Sequence, residues 1–339
     1  MPFLSLSTLV PRHSPLATPV WNENLLVPPH SSILATHYSL PPMKAMILAA
    51  GLGTRLRPLT DTRPKALVEI NGRTLLEITL TRLRTFGVTE AIINVHHFAD
   101  MVADYLKSKN NFNMRLEISR EDDQLLDTGG GLKKAAWFFL EDFPAVDQAS
   151  RGEEPGFSRH SPPATRHFSS EPFLLHNVDV ISTIDLAAML QFHKEHQALA
   201  TLAVQSRESS RQLLFNSQLQ LSGRDSVILS EAKNPGSIFA QPTTDGTAQV
   251  SAHSPLLPSK EPSPLLPLAF SGIHVISPRL LPLLTETAPF SIIDSYLRLS
   301  SHSQKILAFR HDTSYWRDLG KPADLAQAGV DEQQKAITP

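Results

Sequence analysis

Between positions 43 and 330 the apolar residues fall into two alternating rhythms, short solid runs and longer segments with a helical period. The runs Met46–Ala50, Ala91–Val95, Arg115–Ile118, Phe173–His176, Thr201–Gln205 and Phe270–Ile276 predict buried strands. Between them, Leu75–Phe86 carries Leu76, Leu80 and Leu83 on one face and ends at Gly87, a helix with a glycine C-cap. Ala99–Lys107, Leu132–Phe139 (opening just after Gly129-Gly130-Gly131) and Leu186–His193 read as further helices. This alternation predicts an α/β fold, a mixed and mostly parallel sheet with helices on both faces. Ligands of such sheets bind beyond the carboxyl ends of the strands.

Three stretches break the rhythm. Eighteen of the 27 prolines fall in residues 1–42, 147–171 and 225–267, which are also rich in Ser, Thr and His. They share a phrase, His13-Ser14-Pro15, His160-Ser161-Pro162 and His253-Ser254-Pro255. Such composition buries too little apolar surface to offset ordering entropy. The expected organisation is therefore one domain, 43–330, with low-complexity insertions at about 147–171 and 225–267 and a tail at 331–339. Residues 1–42 lack the basic start of a secretory signal and read as a disordered or mis-assigned extension, with Met43 the natural start.

Composition narrows the class of function. With 31 basic and 33 acidic residues the formal charge is −2, which gives no electrostatic case for nucleic acid or an anionic membrane. No apolar run reaches the roughly 18 residues of a membrane span. The chain has no cysteine, so disulfides and thiolate metal sites are excluded and a cytoplasmic setting is expected.

Chemistry concentrates after the first strand, in Ala49-Ala50-Gly51-Leu52-Gly53-Thr54-Arg55-Leu56 with Pro64-Lys65 downstream. Backbone N–H groups of a glycine-rich turn approach phosphate oxygens closely, and fixed cations offset phosphate charge. The dinucleotide fingerprint fails because Leu56 stands at its third glycine, and no segment supplies the spacing of a P-loop.

G-x-G-T-R-L with a following Pro-Lys resembles the hallmark of the sugar-1-phosphate nucleotidyltransferases, in particular small uridylyl- and guanylyltransferases of bacterial sugar activation. The resemblance runs from Met43 to about Leu140 and resumes at Phe173 and at Phe270 to about Asp324. It implies a single Rossmann-like nucleotidyltransferase domain, a monomer or homodimer. It also implies in-line attack of a sugar 1-phosphate on an NTP, UTP or GTP, with release of pyrophosphate. The nucleophile is already anionic, so the catalytic demand is charge neutralisation and positioning.

By the same resemblance Arg55 grips the triphosphate, Lys65 spans the phosphates of both reactants, and Ala49, Ala50, Gly51, Gly53 and Thr54 form the nucleotide turn. Asp179, just past the strand Phe173–His176, and Asp318, in Trp316-Arg317-Asp318-Leu319-Gly320, are the expected Mg²⁺ ligands. Asp127-Thr128-Gly129-Gly130-Gly131 matches the loop against base and ribose, with Gly130 as the contact, and Gly272 lets the sugar approach. Arg57 and Arg63 have no matched position. Glu231-Ala232-Lys233 resembles a pair whose lysine meets the sugar phosphate, yet it sits inside a proline-rich stretch and reads as coincidence. His96 and His97 point to opposite sides of a strand end and do not form a metal pair.

One departure bears on activity. The family has glycine where this chain has Val178, and valine resists positive φ, so a different local turn is expected. The alternative reading is a catalytically impaired nucleotide-sugar-binding regulatory protein of the same fold.

Overall fold

The computed structural model describes residues 43–140, 171–226 and 264–334. Residues 1–42, nearly all of the two expected insertions, and Lys233 lie outside the described residues.

The chain opens with β1 (Met43–Leu48), followed by the glycine-rich turn and a short hairpin of β2 (Glu69–Ile70) and β3 (Arg73–Thr74). Helix α1 (Leu75–Thr85) starts where the Thr74 hydroxyl accepts the Glu77 N–H at 3.0 Å, an N-cap. Next come β4 (Val88–Val95), α2 (Ala99–Ser108), β5 (Arg115–Arg120), α3 (Asp127–Lys134) and α4 (Trp137–Leu140). The second described segment holds β6 (Phe173–Asn177), β7 (Val180–Ser182), α5 (Leu186–His196), β8 (Ala200–Gln205), β9 (Arg211–Phe215) and β10 (Leu221–Ser226). The third holds β11 (Leu266–Ile276), α6 (Ile292–Ser301), β12 (Ile306–Arg310), β13 (Trp316–Asp318) and α7 (Pro322–Gln333).

Nine strands form the main sheet, in the order β10-β9-β11-β6-β1-β4-β5, with β8 beside β11 and β12 beside β8. The block β6-β1-β4-β5 is parallel, as the crossover pattern predicts, whereas β11 runs antiparallel to β6, β8 and β9. Burial on both faces follows from the two-residue period of a strand. Ala45 and Ile47 of β1 join the core beneath α1, α5 and α7, and Met46 joins the core beneath α3, α4 and α6.

The structure adds α6, α7, β2, β3 and β12, which the sequence reading did not predict, and it differs at the glycine run. Instead of Leu132–Phe139, α3 contains all three glycines and breaks at Ala135 before α4. A Cβ at Gly129 would fall 2.3 Å from the Phe290 ring, and one at Gly131 would fall 2.7 Å from Asn94 Nδ2 and 2.8 Å from Glu121 Oε1. Close packing therefore outweighs the low helix propensity of glycine here. The strands β7 and β13 were too short, and β9 and β10 too mixed in polarity, for a periodic pattern to mark them.

Four histidines are buried in this core, each held as the neutral imidazole. His176 and His193 are lowered to about 4, His274 to about 3 and His311 to about 4, in each case mainly by burial. Each still makes one hydrogen bond, for example His274 Nδ1 with the Tyr296 hydroxyl at 2.9 Å and His193 Nδ1 with the Thr201 hydroxyl at 2.9 Å. Because the folded values lie below the unfolded value near 6.5, the unfolded chain binds more protons as pH falls. Stability should be fully present above about pH 6.5 and lost progressively toward pH 4. Thermal melts across pH 8 to 5 check this: the melting temperature should fall steeply below about 6.5, and a flat profile would contradict it.

Candidate functional site

The site lies where the parallel strands end. β1 closes at Leu48, and Ala49, Ala50 and Gly51 turn the chain along one wall of a cleft of about 570 Å³. Gly53 has φ of 64°, in the left-handed region that only glycine adopts at little cost, and its carbonyl accepts the Thr60 hydroxyl at 2.9 Å. A short 3₁₀ turn, Thr54–Leu56, then buries Leu56 and leaves Thr54 and Arg55 exposed. Another, Lys65–Leu67, buries Ala66 and Leu67 and turns Lys65 into the cleft.

Two carboxylates meet at one end of this cleft. Asp179 follows β6 directly, and β7 then pairs antiparallel with β13, aligning Asp318 with Val180. The Leu319 N–H donates to the Asp179 carbonyl at 2.8 Å. Residues 139 positions apart are thus fixed side by side by backbone hydrogen bonds. Lys65 Nζ donates to Asp179 Oδ2, both side chains being mostly buried. The Asp318 carboxyl is raised above its ordinary range, first by burial and then by the negative charge of Asp179, against the pull of Lys65 and Arg55.

Gly320 explains how Arg55 joins the group. A Cβ there would fall 2.4 Å from Arg55 Nη2 and 2.8 Å from Asp318 Oδ1, so the missing side chain is the space that the guanidinium occupies. Arg317, by contrast, turns away toward Asp331 at 3.0 Å. Helix α7 holds this end in place: Glu332 accepts from Asn71 at 3.0 Å and from Arg73 at 3.3 Å, tying the helix after Asp318 to the hairpin after Lys65.

Val178 causes no strain. It is absent from the residues with positive φ, its N–H donates to the Leu48 carbonyl at 3.1 Å, and its side chain is buried against the core. The backbone at Val178 stays out of the positive-φ region, as a valine requires.

Other expected site residues separate. Ala49, Ala50, Gly51, Lys65 and Asp179 line the cleft, together with Asp127 and Thr128. Gly130, expected as the nucleotide contact, does not: a Cβ there would meet Leu126 and Ala288 at 3.0 Å, and its N–H faces the Phe290 carbonyl at 3.3 Å. Packing of α3 against the segment before α6 requires a glycine there. Gly272, with φ of 75°, lies in β11 against the Asn177 side chain, where a Cβ would come within 2.9 Å of Nδ2. It shapes the bend of β11 and is not part of the cleft wall. His96 and His97 do not point to opposite sides as expected but stack with ring centroids 5.1 Å apart, His96 also meeting the Glu121 carbonyl.

Sequence reasoning missed Asn94 and Glu121, both buried and both in the cleft wall. Asn94 Oδ1 accepts the Ala49 N–H at 2.8 Å, and its Nδ2 donates to Glu121 Oε1 at 2.7 Å. Glu121 Oε2 accepts the Leu126 N–H at 2.9 Å. One chain of hydrogen bonds therefore joins the ends of β1, β4 and β5 to the start of α3. The available signal was positional for Asn94, a polar residue at the carboxyl end of an apolar strand, the same logic that marks Asp179; the polar strand before Glu121 offered none.

The chain is similar to known proteins in sequence and in fold. Residues 44–149 match the family described as nucleotidyl transferase. N-acetylmuramate alpha-1-phosphate uridylyltransferase of Caulobacter vibrioides is 51% identical over 96 residues, 28% of this chain and 40% of that protein. A probable mannose-1-phosphate guanylyltransferase of Oryza sativa is 31% identical over 163 residues, 48% of this chain and 38% of that protein. The chain thus spans about two fifths of the length of these relatives. Among solved structures, HddC from Yersinia pseudotuberculosis complexed with GMP-PN shares the fold with a TM-score of 0.56 at 17% identity, over 86% of this chain and 99% of that one. A UDP-glucose pyrophosphorylase complexed with UDP-glucose gives 0.59 at 17% identity, over 87% and 100%.

Removing the Glu121 carboxylate tests the buried link. Glu121→Ala should leave Asn94 Nδ2 and the Leu126 N–H without partners and destabilise the protein by about 1–3 kcal/mol. Urea denaturation measures it; a loss within a few tenths of a kcal/mol would contradict the assigned role.

Proposed function

We propose that this chain, which is similar to nucleotidyl transferases over residues 44–149 and to sugar-1-phosphate uridylyl- and guanylyltransferases, joins a sugar 1-phosphate to an NTP. A sugar-phosphate oxygen attacks the α-phosphorus, the bond from that phosphorus to the β-phosphate oxygen breaks, and pyrophosphate leaves with the electron pair. The observation that carries the proposal is the gathering of Lys65, Arg55, Asp179 and Asp318 at the end of a cleft walled by the glycine turn.

The reactants are polyanions, so each residue acts through charge and position. Lys65, mostly buried, is a fixed cation at the reacting phosphates. Arg55 adds a second positive charge beside Gly320. Peptide N–H groups of the glycine turn bind the phosphates, and the walls at Leu125 and Thr128 hold the base and ribose.

The donor set suits a hard divalent cation. Asp179 and Asp318 are two carboxylates only, and among the described residues no group of three or more His, Cys, Asp or Glu side chains could hold a metal. That matches Mg²⁺, which takes one or two carboxylates and borrows phosphate oxygens from its substrate. The Asp318 carboxyl is raised first by burial and then by the Asp179 charge, so a cation placed between the two would favour its ionised form. When bound, the ion would neutralise charge on the α-phosphate and on the leaving pyrophosphate.

UTP and GTP are the expected nucleotides, in keeping with the uridylyl- and guanylyltransferases among the relatives. Residues 43–330 are read as the domain that carries the activity, in the cytoplasm. No helix among the described residues is long and apolar enough to cross a membrane.

Pyrophosphate release in the presence of Mg²⁺, with each nucleoside triphosphate paired with a mixture of sugar 1-phosphates, tests the proposal. Release is expected with UTP or GTP; silence from folded protein across the panel would overturn it. Lys65→Ala should reduce release by at least a hundredfold. It should also cost about 1–3 kcal/mol of stability, because Asp179 is left unpaired in a half-buried site. Full activity in that variant would remove Lys65 from the mechanism.

A further inference from the structure

The cations assigned so far, Lys65 and Arg55, stand at Asp179 and Gly320. The second substrate brings a phosphate dianion of its own. Lys233, the one lysine that a family resemblance offers for it, lies outside the described residues. Strand topology brings another cation to the same edge. β11 runs antiparallel to both β6 and β8, so the carboxyl ends of β6 and β8 open on one side of the sheet. Asp179 follows the first and Arg207 follows the second.

Arg207 is held unusually well for a loop residue. Its guanidinium stacks over the Trp316 ring at 3.7 Å, and Nη2 donates to the Phe270 carbonyl at 2.8 Å. Trp316 is in turn anchored, its Nε1 donating to the Ser271 carbonyl at 2.8 Å, and it lies two residues before Asp318. The cation is half-buried and belongs to no ion pair with a carboxylate among the described residues. Its Nε is buried and has no hydrogen-bond partner. Burial lowers its proton affinity, against the pull of the nearby Asp318 charge. A desolvated guanidinium without an anion is costly, whereas its planar fork matches a phosphate. Arg207 also stands outside the wall of the nucleotide cleft, where a second substrate would have to approach.

We propose that Arg207, fixed by Trp316 and Phe270 next to Asp318, binds the phosphate of the sugar 1-phosphate. The inference rests on the transferase reading above and names the residue that receives its second substrate. The sugar phosphate would then lie beside Arg207 and Trp316, with its attacking oxygen toward the nucleotide cleft.

Steady-state kinetics of the full chain, with the nucleotide and sugar 1-phosphate selected in the pyrophosphate-release panel, test this. Arg207→Gln should raise KM for the sugar 1-phosphate at least tenfold and leave KM for the NTP within twofold. Arg207→Lys, which restores charge, should recover part of that loss and carries the test should the glutamine variant fold poorly. Thermal melts of both variants separate binding from folding. Unchanged constants for both substrates in an active background, or a rise confined to the NTP, would overturn the assignment alone. Wild-type protein that releases no pyrophosphate with any pair would overturn the transferase reading and this assignment with it.

Discussion

The antiparallel pairing of β7 with β13 is the constraint on which the site depends. Three residues on each strand are enough to set Asp318 alongside Asp179, and the Leu319 N–H to Asp179 carbonyl bond locks that register. Burial, and then repulsion from Asp179, raises the proton affinity of the Asp318 carboxyl. Lys65 offsets part of it from the opposite segment, and Arg55 lies against Gly320 nearby. The arrangement is balanced for further positive charge, which a divalent ion would supply, and for the phosphates that such an ion attracts.

The rest of the fold keeps these pieces from drifting. Helix α7 bonds back to the β2–β3 hairpin, so the segment carrying Asp318 and the segment carrying Lys65 share one brace. On the other wall, Asn94 and Glu121 connect the ends of three parallel strands to the start of α3. Both devices are made of polar groups that are satisfied only when the strand ends are correctly aligned. Unmaking either one leaves buried donors or acceptors exposed to nothing, which favours a single geometry over nearby alternatives.

Much of this was legible in the chain. Solid apolar runs marked β1, β4, β6 and β11, and the helical period of Leu76, Leu80 and Leu83 marked α1, because burial on one or both faces imposes those rhythms directly. Arg55, Lys65, Asp179 and Asp318 were found through local patterns, and the structure brings them together. The packing of Gly130 against Leu126 and Ala288 was not legible, because a glycine run looks the same whether it admits a ligand or a neighbouring side chain. Asn94, Glu121 and Arg207 were missed because their meaning depends on which strand ends lie side by side, and no local window contains that information.

The central claim is that Asp179 and Asp318 form one cation site completed by nucleotide phosphates. Manganese, a spectroscopically visible substitute for magnesium, tests it through electron paramagnetic resonance of the full-length protein with and without UTP or GTP. The account predicts that Mn²⁺ is bound tightly only when nucleotide is present, and that Asp318→Asn weakens this binding at least tenfold without unfolding the protein. Equal Mn²⁺ binding in the wild type and the variant would contradict the claim, because the ion would then be held by the nucleotide alone.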